Sequence, residues 1–95
     1  MKKIKINDKD YEVIENYKDG LDTEALTEYL TDYFDNYDYI FGDWAYGKLR
    51  LKGFCDKQNK LRNNINDYSN IKDYIKNYCA YDCRYFIIKR IELTK

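Results

Sequence analysis

Apolar and polar residues alternate from the start of the chain, with Ile4 and Ile6 set between lysines, the period-two pattern of a half-buried strand. The stretch "NDK" supplies turn residues and Tyr11 to Ile14 resumes the pattern, which predicts a β-hairpin. After the turn "KDG" the period changes. In "LDTEALTEYLTDYFDNY", Leu26, Tyr29, Leu30, Tyr33, Phe34 and Tyr37 recur at helical spacing, which predicts an amphipathic helix with these six residues in the core. Asp22 is placed as N-cap, Glu24 in the first turn suits the helix dipole, and Leu21 and Leu26 have the spacing of a hydrophobic staple. "YDYIFGDW" reads as a strand, "AYG" as a turn and "KLRLKGF" as its partner. Residues 55–66 are polar and basic, the composition of an exposed loop or frayed strand. A second helix is expected from about Asn70 to Cys79, capped by Asp67 or Ser69, with Ile71, Tyr74, Ile75 and Tyr78 on one face. "RYFIIKRIEL" closes the chain as a central or well-covered strand. The order β-β-α-β-β-α-β predicts one α+β domain over residues 1–95, with a largely antiparallel sheet of about five strands and both helices on one face.

Composition changes this picture little. A chain of 95 residues buries roughly 60–65% of the surface it exposes unfolded and folds without staples. Its twelve Tyr and its lack of Pro and His follow what an AT-rich genome encodes, and tyrosine suits a thin core with an aromatic rim. "MKKIKIND" lacks the apolar run of a signal peptide, and no stretch approaches the roughly 20 apolar residues of a membrane span. The chain is therefore expected to be soluble and cytoplasmic.

Charge changes it more. Net charge is zero, yet residues 1–47 hold five Lys against twelve Asp and Glu, and residues 48–95 hold twelve Lys and Arg against five. The halves either neutralise each other across the sheet or form an acidic and a basic face.

The segment "GDWAYGKLRLKGF" contains the one Trp and three of the four Gly. In strand geometry Lys48, Arg50 and Lys52 project to one face and Leu49 and Leu51 to the other. Gly47 is expected in the turn, and Gly53 at a bulge or close backbone approach. Trp44 and Tyr46 fall beside the basic row if the turn preserves the alternation. Aromatics next to Lys and Arg are the ingredients of single-stranded nucleic-acid binding, by stacking and phosphate attraction. The competing expectation is that Trp44 anchors the core and the row is simply solvated.

The segments "ENYKDGLDTEAL", "YDYIFGDWAYGKLRLKGF" and "NYCAYDCRYFIIKR", in this order and spacing, resemble the YutD-like family of small bacterial proteins from Gram-positive lineages. The resemblance runs from about Tyr11 to Arg90. It implies a compact cytoplasmic α+β domain and brings no catalytic residues with it. Asp82 stands where the resemblance calls for Gly, a departure in the turn after the second helix.

Enzymatic chemistry finds little support. Without His, imidazole bases, His triads and His metal ligands are excluded. The isolated glycines 20, 42, 47 and 53 form no phosphate-binding loop, and Ser69 is better used as a cap. Cys79 and Cys83 are spaced C-x-x-x-C and Cys55 is distant, which fits neither a zinc site nor a thioredoxin-type pair. Reduced, partly buried thiols are expected, with no metal and no cofactor. Asp32, Asp35, Asp38 and Asp43 lie in a segment, 19–43, with six Asp, two Glu and no Lys or Arg. Of these Asp43 is singled out, because it sits between Gly42 and Trp44.

Two functions follow, neither catalytic. In the first, the chain binds RNA or a ribonucleoprotein through Trp44, Tyr46, Lys48, Arg50 and Lys52. In the second, the acidic segment docks a basic protein through Asp32, Asp35, Asp38 and Asp43.

Overall fold

The computed structural model describes residues 2–78 and 83–91. Strand β1 (Lys2–Ile6) and strand β2 (Lys9–Tyr17) form the first hairpin, joined by Asn7 and Asp8, both at positive φ, as a tight primed turn requires. Strands β3 (Tyr39–Ala45) and β4 (Lys48–Phe54) form the second. Strand β5 (Tyr85–Arg90) inserts between the hairpins, giving one sheet of order β1-β2-β5-β3-β4, with every neighbouring pair antiparallel. The predicted α+β class and element order hold.

Helix α1 (Thr23–Tyr29) starts as expected, with Asp22 Oδ1 accepting the Ala25 N–H at 3.1 Å. It ends eight residues earlier than the predicted stripe. Leu30 and Thr31 are both extended, and the chain resumes as a 3₁₀ turn over Asp32–Asn36. Two extended residues break the 100° phase, so the stripe does not stay on one face. Leu26 and Leu30 are buried, whereas Tyr29 and Tyr33 are 51% and 66% exposed. Their expected core placement is thereby corrected.

Helix α2 (Ile71–Tyr78) follows a 3₁₀ turn at Tyr68–Asn70, where the Asp67 carboxylate accepts from Ser69 N–H and Oγ. Cys79, the predicted helix end, and Asp82 lie outside the described residues. The two helices occupy opposite faces of the sheet, not one. Ile40, Leu49, Phe86 and Ile88 pack beneath Leu26 of α1 and Leu30 just after it. Tyr39, Phe41, Phe54 and Ile87 pack against Ile71, Tyr74 and Ile75 of α2. Central strands β3 and β5 are consequently covered on both sides, which their unbroken runs "YIF" and "YFII" accommodate.

Candidate binding surfaces

Ala45 pairs with Lys48 and Trp44 with Leu49, so the turn of the second hairpin is the two residues Tyr46 and Gly47, both at positive φ. This parity decides where Trp44 goes. It shares the α1 face with Leu49 and Leu51, while Lys48, Arg50 and Lys52 share the α2 face with Phe54. The Trp44 indole N–H donates to the Gly20 carbonyl at 2.7 Å, and the Arg84 guanidinium lies 4.8 Å from the ring centroid. Trp44 is therefore not beside the basic row, because a two-residue turn places it opposite a leucine. Tyr46 stands fully exposed at the tip. Gly53 marks no bulge, since the β3/β4 register is continuous. The Tyr37 ring lies over it, 2.3 Å from where a Cβ would sit.

The three cations of β4 have different surroundings. Lys48 is exposed. Arg50 is engaged by Asp43 through Nε to Oδ1 at 3.0 Å and Nη2 to Oδ2 at 2.5 Å. Asp43 is only 3% exposed, and its carboxylate raises the guanidinium pKa above the ordinary value. Lys52 Nζ lies 5.2 Å from the Phe54 ring centroid and 5.6 Å from that of Tyr74.

The four predicted acidic residues do not form one face. Asp43 is consumed by Arg50 on the α2 side. Asp38 accepts from the Asp56 N–H at 2.7 Å and from Asn59 Nδ2 at 3.0 Å, which pins the start of the 55–67 loop. Asp35 pairs with the Lys9 ammonium, and its carbonyl accepts from Arg90. Asp32 remains exposed. The exposed acidic residues of the 19–43 segment are Asp19, then Glu24 and Glu28 one turn apart on α1, then Asp32. Between and beside them stand Tyr29 and Tyr33, and Tyr33 borders a groove of about 340 Å³ shared with Tyr37, Leu61 and Asn63. Sequence periodicity assigned these tyrosines to the core. The available signal was the Thr31-Asp32 pair, residue types that favour helix starts over helix interiors. The acidic α1 and the basic row of β4 thus lie on opposite sides of the sheet.

Cys55 is a buried free thiol, its pKa pushed up by burial and by nearby Asp38 and Asp67. Cys83 is disulfide-bonded, a correction to the expectation of reduced thiols throughout. Among the described residues no group of three His, Cys, Asp or Glu gathers as a metal site. No described helix is long and apolar enough to cross a membrane.

Tyrosines add a pH dependence. Burial, with a hydrogen bond to Glu15 at 2.6 Å, pushes the Tyr85 phenol up to about 12. Tyr37 is pushed up to about 12, first by its hydrogen bond with Tyr33 and then by burial. Burial raises Tyr11 and Tyr68 as well. A raised folded-state pKa favours the neutral phenol, so its stabilising share is complete below the unfolded value of 10.0 and is lost as pH rises toward about 12. Urea midpoints are expected to hold up to about pH 10 and fall beyond it, less steeply in Tyr85→Phe. A flat profile to pH 12 would contradict these phenol environments.

The family model described as "Putative antitoxin YutD-like" matches residues 5–89, and the chain belongs to this family. It is 44% identical over 88 residues to "Putative antitoxin YutD" of Bacillus subtilis (strain 168), spanning 93% of this chain and 97% of that protein. Its fold is similar to the solution NMR structure of protein yutD from B. subtilis, with a TM-score of 0.79 and 41% identity, covering all of this chain and 86% of that one.

Proposed function

We propose that this chain is a non-enzymatic protein-binding module that docks a basic partner through α1 and the turn that follows it. The observation that carries the proposal is the pair Tyr29 and Tyr33, 51% and 66% exposed, on a segment with no Lys or Arg. Exposed tyrosines give rigid, amphipathic contact area and are frequent energetic centres of interfaces. The surrounding carboxylates of Glu24, Glu28 and Asp32 would steer a basic surface onto them. The name of the B. subtilis relative supports the same class, since an antitoxin is defined by the toxin it opposes. Tyr29→Ala is expected to weaken the captured partner's binding at least about tenfold, roughly 1.4 kcal/mol or more, while the variant's melting temperature stays near that of the parent. Unchanged affinity in both Tyr29→Ala and Tyr33→Ala would overturn the docking surface.

A second reading keeps RNA as ligand of the opposite side. Lys48, Arg50 and Lys52 project from one face of β4, with Tyr46 at its tip, although Trp44 is turned away. Single-stranded RNA binding would be salt-sensitive, and Lys48→Ala would reduce its salt slope.

A further inference from the structure

The α2 side of the sheet contains a cleft of about 520 Å³, bounded by β4, the 55–67 loop and α2. Its lining includes Lys52 from β4, Asn64 and Ile65 from the loop, and Asp73, Tyr74 and Asn77 from α2. Each element contributes a different chemistry. Tyr74 is half-buried and braced edge-on by Phe41 and Phe54, both at 5.5 Å between centroids, so its ring is a fixed platform. Ile65 is 75% exposed on the loop, an apolar side chain with little else to pack on. Lys52 Nζ lies over the Tyr74 ring, 5.6 Å from its centroid. Asn64, Asn77 and Asp73 are solvent-facing and hold no hydrogen bond through their side chains to another described residue.

We infer that this cleft is a nucleotide site, which takes a purine nucleoside monophosphate, free or as one unit of a single strand. The size falls in the range of small-molecule pockets, about 300–1,000 Å³. The Tyr74 ring and the exposed Ile65 side chain line the same cleft, which offers apolar surface to a planar base, and such stacking does not depend on base identity. An asparagine amide offers a donor and an acceptor together, the pair that matches the N6/N7 edge of adenine. Lys52 supplies a point charge for the phosphate, and Asp73 accepts from a ribose hydroxyl or an exocyclic amine. Lys52 and Asp73 line one cleft, a cation for the phosphate and an acceptor for the nucleoside. The inference rests on the second reading for its class of ligand and is independent of the acidic docking surface.

The test is a ¹⁵N NMR titration of the full chain with AMP, CMP, inorganic phosphate and a short oligoadenylate. The expected result is saturable AMP binding, with shifts centred on Lys52, Asn64, Ile65, Asp73, Tyr74 and Asn77, and weaker binding of CMP. Lys52→Ala is expected to weaken AMP about tenfold, and Asn77→Ala to weaken AMP more than CMP. Both sites are peripheral, and a retained amide spectrum shows that each variant folds. A preference for the oligoadenylate over AMP with the same shifts identifies the strand as the source and supports the site. Oligonucleotide binding that depends on Lys48, without AMP shifts in the cleft, would overturn the site while leaving the basic row as an RNA surface. Equal shifts from inorganic phosphate, or none from any ligand, would overturn it as well.

Discussion

A Gly42→Ala variant is expected to melt roughly 10–20 °C below the parent chain, from overpacking of about 2–3 kcal/mol in a domain of this size. Gly42 pairs with Phe86 across β3 and β5. A Cβ at 42 would sit 2.2 Å from Phe86 Cζ and 2.4 Å from Cε2. Phe86 is fully buried beneath α1, so the ring cannot move aside without displacing Leu26 or Ile88. Gly47 makes the useful contrast. A Cβ there meets nothing within 4 Å, yet φ is +75°, so Gly47→Ala carries only the backbone cost of about 1 kcal/mol. Differential scanning calorimetry of the two variants separates the mechanisms. A Gly42→Ala protein that melts within 2–3 °C of the parent, equivalent to well under 1 kcal/mol, would show that the Phe86 layer is not closed as described.

The second large effect concerns Arg50. Arg50→Ala is expected to cost about 2–3 kcal/mol, because it strands the carboxylate of Asp43 in a site where water has little access. Arg50 itself is half exposed and returns to solvent easily; the burial belongs to Asp43, so the loss falls on the carboxylate. Arg50→Lys should recover only part, since an ammonium cannot repeat the two-pronged contact. Paired with Asp43→Asn in a double-mutant cycle, the loss should be strongly non-additive. Additive effects would contradict the pairing. The consequence for function is direct: weaker RNA binding by Arg50→Ala reports on the fold unless stability is measured beside it, whereas Lys48→Ala is free of that ambiguity.

Much of the architecture was legible because local chemistry and tertiary placement agree. Asp22 caps α1, Asp67 precedes α2, and the alternation in "KLRLKGF" puts Leu49 and Leu51 inward. What escaped the pattern depended on parity and phase. One residue of difference in the turn at Tyr46-Gly47 sends Trp44 to the face opposite the lysines. Two extended residues, Leu30 and Thr31, turn an apparent core stripe into an exposed tyrosine pair. The opposite-face arrangement of the helices had a signal in the runs "YIF" and "YFII", too continuous for strands with one open face. The side-chain commitments of Asp38 and Asp43 had none, since their partners Asn59, Asp56 and Arg50 are fixed only by the fold. Of the four acidic candidates Asp32 alone stays exposed, beside Glu24 and Glu28 near the tyrosines, while Asp35, Asp38 and Asp43 hold the structure together.

The central claim, that the α1 surface binds a basic protein, is tested most directly by affinity capture from nuclease-treated lysate with three forms of the chain. These are the parent, Glu24→Lys with Glu28→Lys on the α1 face, and Lys72→Glu with Lys76→Glu on the exposed side of α2. The expected result is one basic protein enriched by the parent and by the α2 variant, lost from the α1 variant, and eluted by salt as screening demands. Equal enrichment by all three forms, or loss with the α2 variant instead, would contradict it.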